Sequence, residues 1–420
     1  MSGGGGMKEH VARRGWWRGL DPRSSATLFL IAACGTYGAV IASVLPSLVG
    51  TWIADVGLTE RMAGEVATIN VLAATLGLCL ALFLVSRWSL PRIARLGLLL
   101  AISGDLLSIL ASDMLQLSFL RAVQGVGVGL LVGATTNWIG RHEYAARGFG
   151  MYIMLQFILA AVLIAAIPAL MPYLGAASVY VTLLALAAVS LILYPLLGLN
   201  GGAVPLRPAA AEEPEESGAA ADTDYPALLK FLSVLAFGLF NIAAIGLWSY
   251  MLRYGEVVGL SSAAAAQTLA ISSLCGIPGT ILVIALSARY GRFLPLMLAL
   301  AIYTVPAAVF AVSHVAAAIF VAGLVVQNIA WAVVAPYFQA VQAALDRSGR
   351  LAVWGMIVAS IGAGLGPAFI GFAIDGTSYG MAFGGAVLAL GLAALAGAVP
   401  ALVTDRRERP TPAEGILAGS

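Results

Sequence analysis

Asp105 and Arg121 are opposite charges inside otherwise apolar runs, and their spacing sets them at one depth. Asp113 lies midway between them at a polar turn. At 1.5 Å per helical residue, each charge is about 12 Å from that turn. A lone charge near mid-membrane costs at least about 2.5–3.5 kcal/mol on insertion scales. The spacing therefore predicts a buried ion pair, with Gln124, one turn beyond Arg121, holding the guanidinium in a shared polar network. Such a pair can pin two helices together, or its carboxylate can take up and release a proton. The residues alone leave both roles open.

A second set of polar groups is spread over other apolar runs: Tyr37, Asn70, Gln156, Asn241, Trp248, Gln327, Asn328 and Trp331. Amides and indoles hydrogen-bond, and aromatic faces stack, so together they suit a small organic molecule with an apolar body. Each one taken singly serves equally well to bond one helix to another. Arg121, Gly125, Gly129 and Gly133 recur every four residues and form one stripe along a helix, which lets a neighbour approach closely. The run Gly362–Gly371, with Gly366 and Pro367 at its centre, predicts a deformable helix. Cys34, Cys79 and Cys275 are far apart, as are His10, His142 and His314, so no metal or disulfide framework is expected. Neither a zinc-protease motif nor a GxxxxGK[ST] phosphate loop occurs, so no cofactor, no direct use of ATP and no enzyme activity are expected.

The elements that must position these groups are membrane helices. Of 420 residues, 61% are hydrophobic and 10% charged, with a mean hydropathy of +0.96. Soluble domains carry roughly 25% charged residues, so this chain cannot cover a water-facing surface. A net charge of +2 gives no footing for nucleic acid. A helix needs about 20 apolar residues to cross a bilayer. That ruler places helices near 26–50, 62–85, 95–112, 114–139, 148–171 and 176–197. A second series falls near 227–252, 264–287, 293–312, 315–343, 351–374 and 379–403. The expected fold is an all-α polytopic membrane protein of twelve helices, a monomer in a lipid bilayer. Residues 1–25 form an N-terminal segment, 26–197 and 227–403 two six-helix bundles, 198–226 a polar linker and 404–420 a tail. The linker is rich in Pro, Ala, Gly and acids and reads as disordered. Lysine and arginine collect at one set of helix ends, while the other set has only Arg61 and Arg253. Both termini and the linker are then cytoplasmic, in what is expected to be a bacterial inner membrane.

The two bundles echo each other. Gln124 and Arg147 each precede a matching residue, Gln327 and Arg350, by 203 positions. The segment Arg121-Ala-Val-Gln124-Gly125-Val-Gly127 resembles the R-x-x-Q-G-x-G pattern of the major facilitator superfamily, at the expected place on helix 4. Ala288-Arg289-Tyr290-Gly291-Arg292 is similar to the family's D-R-x-G-R loop, with alanine in place of the acid. The matching loop of the first half keeps only its arginines, Arg87 and Arg92. The resemblance implies the family's two-bundle fold and a secondary transporter that works by alternating access on a small-molecule substrate. It also implies that helices 1, 4, 7 and 10 line the cavity and that the arginine loops switch conformation, their latch weakened by the missing acids.

Arg121 suggests an organic or aromatic acid as substrate, and Asp105, with Arg121 and Gln124, is the expected proton-coupling group for a symporter. Efflux of hydrophobic drugs, facilitated diffusion and a non-transporting receptor stay as alternatives. Helix 5 lacks the glycine–proline signature that the family's antiporters carry there; the similar run is on helix 11.

Overall fold

Long apolar stretches without intervening charge leave the backbone one way to satisfy its N–H and C=O groups inside a bilayer, the α-helix. The computed structural model describes residues 25–142, 144–193, 225–286, 290–312, 315–346, 349–374 and 378–408. These residues form fourteen helices. In the first half they are α1 (Ser25–Val40), α2 (Leu45–Asp55), α3 (Glu60–Leu84), α4 (Leu90–Ser108), α5 (Met114–Gly140), α6 (Ala145–Leu174) and α7 (Ala177–Leu193). In the second half they are α8 (Ala227–Val257), α9 (Ser262–Leu274), α10 (Gly276–Leu286), α11 (Phe293–Val312), α12 (Ala317–Leu345), α13 (Arg350–Ala373) and α14 (Gly380–Glu408).

Among the described residues nine spans are long and apolar enough to cross a membrane, with α9 and α10 counted as one. The pair α1–α2, bent by 40°, makes a tenth. α4 carries three charges, Arg92, Arg95 and Asp105, and α7 is described over 17 residues. With these two, the twelve expected rods are present. The expected linker falls almost entirely outside the described residues, and α8 begins at Ala227 as the apolar pattern predicts.

Two of the rods are broken, and each break has a local cause. Turns at residues 41–44 separate α1 from α2, where Pro46 sits in the first turn of the new helix. Its missing N–H costs nothing there, and its ring prevents α1 from running on. The second break falls at Cys275, three residues before Pro278. Pro168, Pro306, Pro336 and Pro367 stay inside continuous helices.

Glycines set the closest packing. A Cβ on Gly129 would overlap the Ala74 carbonyl oxygen and stand 2.6 Å from the Leu78 amide, so α5 lies directly on α3. Gly125 and Gly133 face the same neighbour. On α13, Gly366 packs against α8 at Ile242 and Gly246, whereas Pro367 lies against Gly64 of α3. That helix therefore packs on α8 of its own half and on α3 of the other.

Candidate functional site

Helices α1, α3, α4 and α5 converge on Asp105 and Arg121. An Asp113 carboxylate that accepts from the Gln116 amide caps α5 and fixes the hairpin. Gly104 allows the two helices to meet, since a Cβ there would stand 2.5 Å from that of Gln124. The expected pair forms: Arg121 Nη2 lies 2.7 Å from Asp105 Oδ1, and both side chains are 0% exposed. Arg121 also donates to Ser108 Oγ, from Nε at 3.2 Å and from Nη2 at 2.9 Å. Its guanidinium carbon stands 5.4 Å from the ring centroid of Tyr180 on α7, and Trp52 on α2 donates to the Tyr180 hydroxyl at 2.9 Å.

Tyr37 and Asn70 enter this network and do not line the cavity where the sequence placed them. The Tyr37 hydroxyl donates to Asp105 Oδ2 at 2.5 Å. The Asn70 amide donates to Gln124 Oε1 and to the Arg121 carbonyl, each at 2.7 Å. Every member belongs to the first half. In a low-dielectric interior such a network strengthens each of its bonds, and its loss is correspondingly costly.

The other polar groups meet elsewhere. Gln156, Trp248, Gln327, Asn328 and Trp331 surround one cavity of about 680 Å³, between the halves at mid-depth. Phe157, Tyr303 and Ser43 are also among its lining residues, and none of the three stands out in the sequence. Asn241 lies outside the lining: its amide donates to its own helix at Phe237 O, 2.9 Å away.

Polar ties between the halves run from mid-depth to the end that bears Arg61 and Arg253. The Trp248 indole donates to Ser43 O at 3.0 Å, and the Tyr250 hydroxyl to Glu60 O at 2.6 Å. The Ala368 amide donates to Thr68 Oγ1 at 3.0 Å. Arg253 lies 3.8 Å from Glu60 of the other half and 2.7 Å from Glu256 of its own. The arginine-poor end is thus closed. A second cavity of about 880 Å³, bordered by Asp55, Arg253 and Glu256, lies on that side of the Trp248 contact.

At the opposite end, Arg87 stacks on Phe83 at 4.9 Å and Arg92 is exposed. Arg289 lies outside the described residues. Gly291 takes a left-handed φ of 70°. Beside it the Asp405 carboxylate accepts from the Arg292 and Phe293 amides, at 2.8 Å each. This carboxylate reaches the start of α11 from α14, 113 residues beyond Arg292. This contact joins two helices of one half and ties α14 to the start of α11.

A twelve-rod helical pair of bundles around a central cavity, with one end closed, defines a transporter of the secondary type. The sequence profile described as Major Facilitator Superfamily matches residues 27–367, and the chain belongs to that family. The structure is similar to that of a bacterial homolog of the human lysosomal transporter Spinster in an inward-facing, unoccupied conformation. The TM-score is 0.70 at 17% identity, covering 94% of this chain and 100% of that one. The nucleoside transporter NupG gives a TM-score of 0.66 at 13% identity, covering 92% and 100%. A D-xylose–proton symporter gives 0.66 at 14%, covering 88% and 96%. No curated protein sequence matches the chain.

Proposed function

We propose that the protein moves a small organic solute across a bacterial inner membrane by alternating access, with the Trp248–Trp331 cavity as its transport site. The observation that carries the proposal is the placement of five polar or aromatic side chains, drawn from both halves, around one mid-depth cavity. Both termini are cytoplasmic by the positive-inside rule. The closed, arginine-poor end then faces outward, and the conformation is inward-facing.

Arg121 is fully buried, bonds Asp105 and Ser108 and keeps Nη1 without a partner, but it does not line the central cavity. An acid substrate bound in that cavity would meet no cationic side chain of its lining.

Proton coupling runs through Asp105. Protonation neutralises the acceptor of Tyr37 and weakens that charge-assisted bond, and Tyr37 lies on α1 just before the break whose Ser43 carbonyl is bonded to the opposite half. The carboxylate is in this way linked, through α1, to the turn whose Ala42 and Ser43 line the cavity. A second reading also has an observation in its favour: the whole network lies in the first half, so rocking leaves it intact and Asp105 only holds the bundle together.

Asp105→Asn separates the two in proteoliposomes. Under coupling, the variant loses accumulation driven by a pH gradient and keeps exchange. Under the architectural reading, any variant that folds keeps both.

A further inference from the structure

The cavity holds no formal charge. Its thirteen lining residues include no Asp, Glu, Lys, Arg or His. The buried ion pair of the first half lies outside that lining and is 0% exposed. Stripping water from an ion in such a place costs several kcal/mol with no countercharge to offset it, whereas a neutral amide costs little once it is hydrogen-bonded.

The lining does supply hydrogen bonds. Asn328 donates its amide hydrogen to Leu324 O at 3.0 Å, which leaves its carbonyl oxygen as an acceptor. Gln327 donates weakly to Tyr303 O at 3.5 Å and keeps its oxygen likewise. The Gln156 amide has no bond within the described protein and offers both a donor and an acceptor. Around these stand Trp248 and an edge-to-face pair, Phe157 of one half and Trp331 of the other, with centroids 6.4 Å apart at 89°. Aromatic walls of this kind favour a flat ring.

Resting on the transport assignment, we infer that the site takes an uncharged, flat-ringed solute with an amide-like edge, N–H beside C=O, and rejects the matching carboxylate and ammonium.

The test uses full-length protein in nanodiscs at neutral pH and matched triads of probes. One triad is nicotinamide, nicotinate and 3-(aminomethyl)pyridine; the other is indole-3-acetamide, indole-3-acetate and tryptamine. Binding is read by the shift in thermal unfolding and, for the pyridine triad, by tryptophan fluorescence quenching. The expected result is saturable binding of an amide at least about tenfold tighter than its charged partners, abolished in Trp331→Ala. Asn328→Asp, which adds a charge with little change of shape, shifts preference toward the amines. A carboxylate or amine that matches its amide in the unsubstituted protein overturns the inference, as does a complete lack of amide binding. Amide binding without movement across proteoliposomes overturns transport and upholds the site; movement of only the charged probes does the reverse.

Discussion

The indole of Trp248 on α8 donates to the carbonyl of Ser43, 3.0 Å away in the opposite half. Ser43 lies in the turns between α1 and α2, where the regular helical ladder is interrupted. The break therefore supplies the acceptor, and the bond ties the halves between the central cavity and the outer one.

Trp248→Phe keeps most of the bulk and removes the donor. A net hydrogen bond is worth about 1 kcal/mol, so the population open at the arginine-poor end should rise roughly fivefold. Distances between spin labels placed at that end on α3 and α13 report the shift. An unchanged distance distribution would show that the bond does not hold the closed state.

Removing one member of the buried pair leaves the other uncompensated. Asp105→Ala and Arg121→Ala should each cost about 3–5 kcal/mol, seen as a large fall in the unfolding temperature in detergent. The double variant Asp105→Leu with Arg121→Met should recover much of the loss. If each single change is mild, the pair is not the pin described here.

Helix packing at the glycine stripe allows no side chain. In Gly129→Val, the added carbons collide with backbone at Ala74 and Leu78, and overpacking of this kind costs typically 1–3 kcal/mol or more. Folded yield and thermal stability should both fall. Gly150→Ala, where a Cβ meets nothing within 4 Å, should change neither.

Asp405 makes a local prediction. In Asp405→Asn the charge-assisted bonds to the Arg292 and Phe293 amides weaken. Hydrogen exchange at those two amides should quicken, while exchange in α3 and α5 stays unchanged. Equal protection in both proteins would remove Asp405 from the role assigned to it.

Much of this was legible in the residues. Hydropathy alone places twelve rods and divides them into halves, because a bilayer rewards uninterrupted apolar helices so strongly. The Asp105–Arg121 pair follows from equal depth on a hairpin. What the sequence does not carry is the direction in which a lone polar residue on a uniformly apolar helix faces. Tyr37 on α1 and Asn70 on α3 are isolated polar groups among apolar neighbours, so both read as cavity residues although they serve the ion pair. Phe157 and Tyr303 look like ordinary core until the halves are assembled. Asp405 reaches its partners only through tertiary packing.

A solute that crosses the membrane passes through the Trp248–Trp331 cavity in this reading. Proteoliposomes loaded with a mixture of small metabolites, with solute loss followed by mass spectrometry against protein-free vesicles, test it most directly. One solute or a few, uncharged and ring-bearing, should leave faster in the presence of the protein. Trp331→Ala should abolish this, and Trp88→Ala, at the exposed turn after α3, should leave it intact. Loss that matches protein-free vesicles for every solute, or loss that survives Trp331→Ala, would contradict it.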